Sequence, residues 1–150
     1  MVSFKNSNTP EATEAELQRV EHELGVIFPR DYRRFLLDFN GGNPVPNFLA
    51  IPDLSEKVAI DCFLGIGRPY LDLKDWTAEL RYSLDMPEDF IPIAFDPGGN
   101  NLIMKIENSE NPEVYYWDSA RHFNLSTDEE NAFLVADSFT DLLTKFEATP

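Results

Sequence analysis

The sequence predicts an α+β fold. It is expected to form one domain over residues 1–150, with a curved, mainly antiparallel β-meander covered on one face by an N-terminal helical hairpin and a C-terminal helix. Three observations carry that expectation. Apolar residues at helical offsets cluster near both ends of the chain, short β-type runs separated by turn residues fill its middle, and no strand–helix alternation of the kind that builds a parallel sheet occurs. The sequence holds no internal repeat, low-complexity stretch or linker, and 150 residues suffice for one real core.

Thr13-Glu-Ala-Glu16 has the form of a capping box, in which Thr13 accepts from the helix start and Glu16 reaches back. Leu17, Val20 and Leu24 then share a helical face, and Gly25 is placed to end the helix. Pro29 opens a second helix with Tyr32, Phe35, Leu36 and Phe39 on one side, stopped by Asn40-Gly41-Gly42. Few residues join the two, which predicts a helical hairpin. Prolines 44, 46 and 52 make the next stretch irregular, with a short strand at Phe48–Ile51. Val58–Leu64 reads as one strand ended by Gly65 and Gly67, and Asp72–Leu84 as a helix with Leu73, Trp76, Leu80 and Leu84 on one face. A last short strand is expected at Phe133–Ala136. A final helix follows, capped by Asp137 or Ser138 and carrying Phe139, Leu142, Leu143 and Phe146.

The central segment is the most informative. Ile91, Ile93 and Phe95 give way to Asp96-Pro97-Gly98-Gly99-Asn100, and the chain returns through Leu102, Ile103, Met104 and Ile106. Pro97 presets φ for a turn, and the glycines accept the positive φ that such turns need. A second turn is expected at Asn108–Pro112, followed by the strand Val114-Tyr-Tyr-Trp-Asp118.

Composition bounds the function. Hydrophobic residues make up 43% of the chain and include twelve Phe, which marks a folded protein and not a disordered tail. No apolar run reaches membrane-spanning length, and the polar Met1–Pro10 lacks the features of a signal peptide. The single cysteine, Cys62, sits in an apolar run and reads as a buried thiol in a reducing compartment, so a cytoplasmic protein is expected. Twelve Lys and Arg against 27 Asp and Glu leave a formal charge of −15. Nucleic-acid phosphates and anionic membranes would repel such a chain, whereas a basic protein partner would be attracted. On charge alone, acidity for solubility is the stronger of the two readings.

Glu21-His-Glu-Leu-Gly25, Phe28-Pro-Arg-Asp-Tyr-Arg-Arg-Phe-Leu-Leu37 and Asn40-Gly-Gly42 together resemble the N-terminal signature of the SUKH superfamily, the Smi/Knr-like group. Ile91–Asn100 resembles that family's central hairpin, and Val114–Asp118 with Val135–Leu143 resembles its third strand and closing helix. Phe28 stands where Leu is more usual. The resemblance covers nearly the whole chain and implies a protein-binding α+β domain. Bacterial members are mostly immunity proteins that neutralise toxin domains, often nucleases, of contact-dependent or polymorphic toxin systems; fungal members regulate cell-wall synthesis and signalling. The Pro44–Ile60 and Gly65–Leu84 stretches match no part of the signature, and partner specificity is expected there.

The reading is therefore a non-enzymatic immunity module that binds a basic, nuclease-type toxin domain through an acidic surface. The alternatives are a regulatory scaffold of the fungal kind and, below it, an acid–base hydrolase using Asp96 and Asp118. The expected partner-binding residues are Asp61, Asp72, Asp75, Asp96, Tyr116, Trp117 and Asp118. Taken singly, the plainer roles lead: Asp96 as a turn residue, Asp118 at a strand end, Tyr115, Tyr116 and Trp117 in the core, and most of the acidic set Asp53, Glu56, Asp61, Asp72 and Asp75 as solvated surface. No metal or cofactor is expected. His22 and His122 stand far apart in sequence, no Walker-type or Gly-x-Ser-x-Gly loop occurs, and Gly65-x-Gly67 reads as a turn.

Overall fold

The computed structural model describes residues 2–5, 10–106, 111–118 and 131–150. The turn expected at Asn108–Pro112 falls partly outside these residues. His122 and the acidic run Asp128-Glu129-Glu130 fall wholly outside them.

The N-terminal helices form as their sequences dictate. Helix α1 (Glu14–Leu24) starts with the full capping box, Thr13 accepting from the Glu16 amide and Glu16 accepting from the Thr13 amide, and ends on Gly25 at φ 69°. Helix α2 (Arg30–Asp38) begins after Pro29, whose fixed φ suits that position. Arg33 pairs with both Glu14 and Glu21, and the other Glu21 oxygen accepts the Phe28 amide at 2.7 Å. The hairpin is thus closed by ions as well as by its apolar faces.

The main sheet has five strands in sequence order: β5 (Cys62–Phe63), β6 (Phe90–Phe95), β7 (Asn101–Lys105), β8 (Val114–Trp117) and β9 (Ala132–Ala136). All its pairs are antiparallel, with irregularities at Pro92/Ala94 and Val114/Tyr115. A three-stranded sheet places β3 (Phe48–Ile51) between β4 (Glu56–Ala59) and β10 (Phe146–Glu147). A two-stranded ribbon pairs β1 (Ser3–Lys5) with β2 (Asn43–Val45).

Three expectations are corrected. Val58–Leu64 is two strands, not one: the chain leaves β3 after Ala59 and joins β6 at Cys62, so one apolar run serves two sheets. The closing helix α4 (Phe139–Leu143), capped by Ser138, stops before Phe146, which pairs with Leu49 in β10. Finally, the helices do not all lie on one face. Alternation along the central strands separates two cores. Leu102, Met104, Val114 and Tyr116 face α1, α2 and α4, whereas Ile103, Tyr115 and Trp117 face helix α3 (Leu73–Leu84) through Leu80 and Trp76. Trp76 stacks on Phe95 with ring centroids 4.7 Å apart, and its indole N–H donates to Asn101 Oδ1 at 3.0 Å. Such a stack adds roughly 0.5–1.5 kcal/mol beyond its buried area.

On the first face, Phe35, Phe63 and Phe139 form an aromatic cluster that Phe4 of β1 enters, 4.8 Å from Phe35. Asp31 of α2 accepts both the amide and the hydroxyl of Thr140, fixing α4 against α2.

Candidate partner-binding surface

Strand register brings distant acids together at one end of the main sheet. Cys62, Phe95, Asn101, Trp117 and Ala132 form a single row across the five strands. One step beyond that row stand Asp61, Asp96, Asn100, Asp118 and Asn131. They are linked by the Asp61 amide to Phe95 O at 2.9 Å, the Asp96 amide to Asn100 O at 2.9 Å, and the Asp118 amide to Asn131 O at 2.8 Å. Three aspartates separated by up to 57 positions in sequence, from Asp61 to Asp118, therefore share one rim.

Within the rim the carboxylates differ. Asp61 is exposed and Asp118 half-buried, whereas Asp96 is buried. Asp96 Oδ1 accepts the Asn100 amide at 2.9 Å and Oδ2 accepts the Tyr116 hydroxyl at 2.5 Å. Asn100 Nδ2 donates to the same hydroxyl at 2.9 Å. Burial, then the bond to Asp96 and the charges of Asp96 and Asp118, push the Tyr116 ionisation far up, so the phenol stays a neutral donor. Asp96 and Tyr116 hold the hairpin turn shut; their polar atoms are engaged with each other. For an acid–base pair with Asp118, Asp96 is buried and each of its oxygens already accepts a hydrogen bond.

Trp117 is fully buried against Leu80, Phe90 and Ile103, and Tyr116 is buried in the core on the opposite face, so both expected anchor rings are interior. The reason is the second core. With α3 covering the far sheet face, both sides of β8 become interior. The most exposed aromatic rings among the described residues are instead Tyr70 (96% exposed) and Tyr82 (89%). For Tyr82 a sequence signal exists, since it falls off the Leu73, Trp76, Leu80 and Leu84 face of its helix.

With Trp76 on Phe95 and Asn101, the row next to the rim, Asp72 and Asp75 stand at the start of α3. Asp72 is its N-cap: Oδ2 accepts the Asp75 amide at 3.1 Å and Oδ1 accepts the Gly67 amide at 2.7 Å. Asp75, one turn in, is exposed. The seven expected residues thus divide into a sheet-end group, a helix-start pair and a buried tryptophan.

The cations are mostly spoken for. Arg33, Arg34, Lys57, Lys74 and Lys145 each pair with carboxylates of this chain. Arg68 is buried and donates to Phe63 O at 3.0 Å, and Arg81 donates to the carbonyls of Leu24 and Glu88. Cys62 is buried, and desolvation pushes its thiol ionisation up, away from the thiolate a nucleophile needs. Among the described residues no three His, Cys, Asp or Glu side chains group as a metal site, and no helix is long and apolar enough to cross a membrane.

The chain is 26% identical over 151 residues to the SPbeta prophage-derived uncharacterized protein YokK of Bacillus subtilis (strain 168), an alignment covering 87% of this chain and 72% of that protein. The model of the SMI1 / KNR4 family (SUKH-1) matches residues 11–145, from just before the capping box of α1 to just past α4. With all but its two ends matched, the chain belongs to the SMI1 / KNR4 family.

Proposed function

We propose that this protein is an immunity module that neutralises a basic toxin domain, of nuclease type, by occupying its nucleic-acid channel with surface carboxylates. The family is known for immunity-type, generally non-enzymatic domains. One observation carries the reading further: internal ion pairs and carbonyl contacts take up most of the described cations, while the surplus carboxylates stay on the surface. A protein surface left with unmatched negative charge attracts a basic partner and hastens its docking.

Affinity capture of the tagged protein from its own cells at low salt, with mass spectrometry of the retained chains, tests the reading. A basic domain that salt releases, and whose toxicity in a host cell disappears on co-expression with this protein, is the expected result. Retention of signalling or wall-synthesis enzymes that do no harm when expressed alone would favour the regulatory reading instead. Binding that ignores salt would remove the electrostatic basis.

A further inference from the structure

We infer that the outer face of α3, together with the turn that precedes it, is the docking face, and that its occupant is the basic surface of a folded protein partner. The inference rests on the immunity reading and gives that reading a place on the molecule.

Four exposed residues of α3, Asp75, Ala78, Glu79 and Tyr82, fall at helical offsets that align them on one face. The face has carboxylates at Asp75 and Glu79 and an aromatic ring, 89% exposed, near its C-terminal end. Just before the helix stands Tyr70, 96% exposed. Both cations of α3 are turned away: Lys74 pairs with Glu23 of α1 at 3.4 Å, and Arg81 donates to the Leu24 and Glu88 carbonyls. The charged side chains on the face itself are Asp75 and Glu79, with Arg19 of α1 and Lys74 at the margin beside Asp75. An acidic face of this kind repels a second copy of the chain and attracts a basic surface.

Tyr70 is also held where a tyrosine is disfavoured. The Leu71 amide bonds Arg68 O at 3.1 Å, closing a turn with Pro69 second and Tyr70 third, at φ 64°. That third position with positive φ suits Gly or Asn, and a bulky residue there is strained. Among the described residues the other positive-φ positions outside glycine are Asn40, Ser55 and Asp85, small polar types. The turn itself is anchored, because Arg68 is buried and bonded to Phe63 O. The result is an anchored turn presenting a ring to solvent. Tyrosine supplies large contact area at low entropic cost and is enriched among the residues that dominate interface energies.

The probe is the basic domain that the wild-type protein retains at low salt, purified and titrated against variants. Tyr70→Ala and Tyr82→Ala should each weaken binding about 10-fold or more, as interface anchors do. Asp75→Lys should weaken it most at low salt, whereas Asp61→Lys, on the sheet-end rim, should change it by less than about threefold. Tyr70→Gly should keep or raise the thermal midpoint, since glycine relaxes the turn, while still losing affinity. A lower midpoint for Tyr70→Gly would make the ring a structural element and overturn its docking role. Unchanged affinity in both tyrosine variants with loss in Asp61→Lys would overturn this face and leave the immunity reading standing. Self-association abolished by the tyrosine variants would assign the face to a second copy. A wild-type protein that retains no salt-released basic domain overturns both the immunity reading and the face.

Discussion

Asn40 grips the backbone of Ile66 at both of its polar atoms. Its Oδ1 accepts the Ile66 amide at 2.7 Å and its Nδ2 donates to Ile66 O at 2.9 Å, with a second Nδ2 bond to Pro10 O at 3.0 Å. The amide thus imitates a strand partner and ties the end of α2 to the loop after β5 and to the segment before α1. Asn40 is buried and sits at φ 52°, a backbone region that asparagine tolerates better than most residues.

Replacing Asn40 with Ala leaves the Ile66 amide and two carbonyls without these partners. Each buried polar group left unpaired costs about 1–3 kcal/mol, so Asn40→Ala should lose roughly 3 kcal/mol or more of unfolding free energy. Urea denaturation checks this. A loss under about 1 kcal/mol would mean that water reaches these groups.

Gly65 lies against the same residue. A Cβ added there would meet Asn40 O at 2.1 Å, a contact with backbone that cannot swing aside. Gly65→Ala should therefore abolish soluble expression or cost several kcal/mol, at the upper end of point-mutant effects, about 4 kcal/mol. Gly67→Ala is the control: no atom lies within 4 Å of its Cβ, and the expected cost is only the strain of a positive φ.

Tyr32 reports a different cost. Its ring is fully buried between Phe28 and Phe139, and its hydroxyl has no hydrogen-bond partner among the described residues. Removing an unpaired buried hydroxyl relieves desolvation, so Tyr32→Phe should be neutral or stabilising by about 1 kcal/mol in thermal melts. A destabilisation of that size would reveal a bond to bound water.

Alkaline pH should loosen the fold through Tyr116 and Tyr32. Burial raises both ionisations, and Asp96 adds to the effect at Tyr116. A phenol whose folded-state ionisation is raised binds its proton more tightly folded than unfolded. Its contribution is complete below the unfolded value of about 10 and is lost as pH climbs above it. Stability measured from about pH 8 to about pH 11 should fall at the upper end, and Tyr32→Phe should flatten the fall. Tyr116→Phe should flatten it as well, but at a cost at neutral pH, because Asp96 and Asn100 lose their shared partner.

Local chemistry made much of the fold legible. Thr13 and Glu16 cap α1, Gly25 ends it, Asp96-Pro97-Gly98-Gly99-Asn100 turns between β6 and β7, and Ser138 caps α4, because each of these depends on neighbours within four residues. The resemblance carried by Glu21–Gly25, Asn40–Gly42 and Ile91–Asn100 was legible for the same reason, and it pointed to the family that residues 11–145 match. The structure adds why Asn40 and Gly41 stand together. Asn40 bonds Ile66, and a Cβ on Gly41 would meet Phe63 O at 2.6 Å.

Short strands without a strong pattern were not legible. β1, β2 and β10 hold two or three residues each, too few for alternation to show, and exist because a partner strand is already in place. The candidate surface shows the same limit. Trp117 looks like a surface anchor until α3 is seen to close the far side of β8, Tyr116 is taken up by the core on the other face, and Asp61, Asp96 and Asp118 become neighbours only through strand register.

The sequence by itself determined the helix starts, the Gly25 end of α1, the central hairpin, the family and the sign of the surface charge, since these follow from residue type and short-range spacing. Tertiary structure alone decided which aromatic rings reach solvent, which carboxylates are consumed inside the fold, and that Tyr70 stands on a strained turn beside an acidic helix face. Those outcomes depend on which surfaces pack together, and burial is a property of the assembled chain, set by contacts between segments that the sequence keeps far apart.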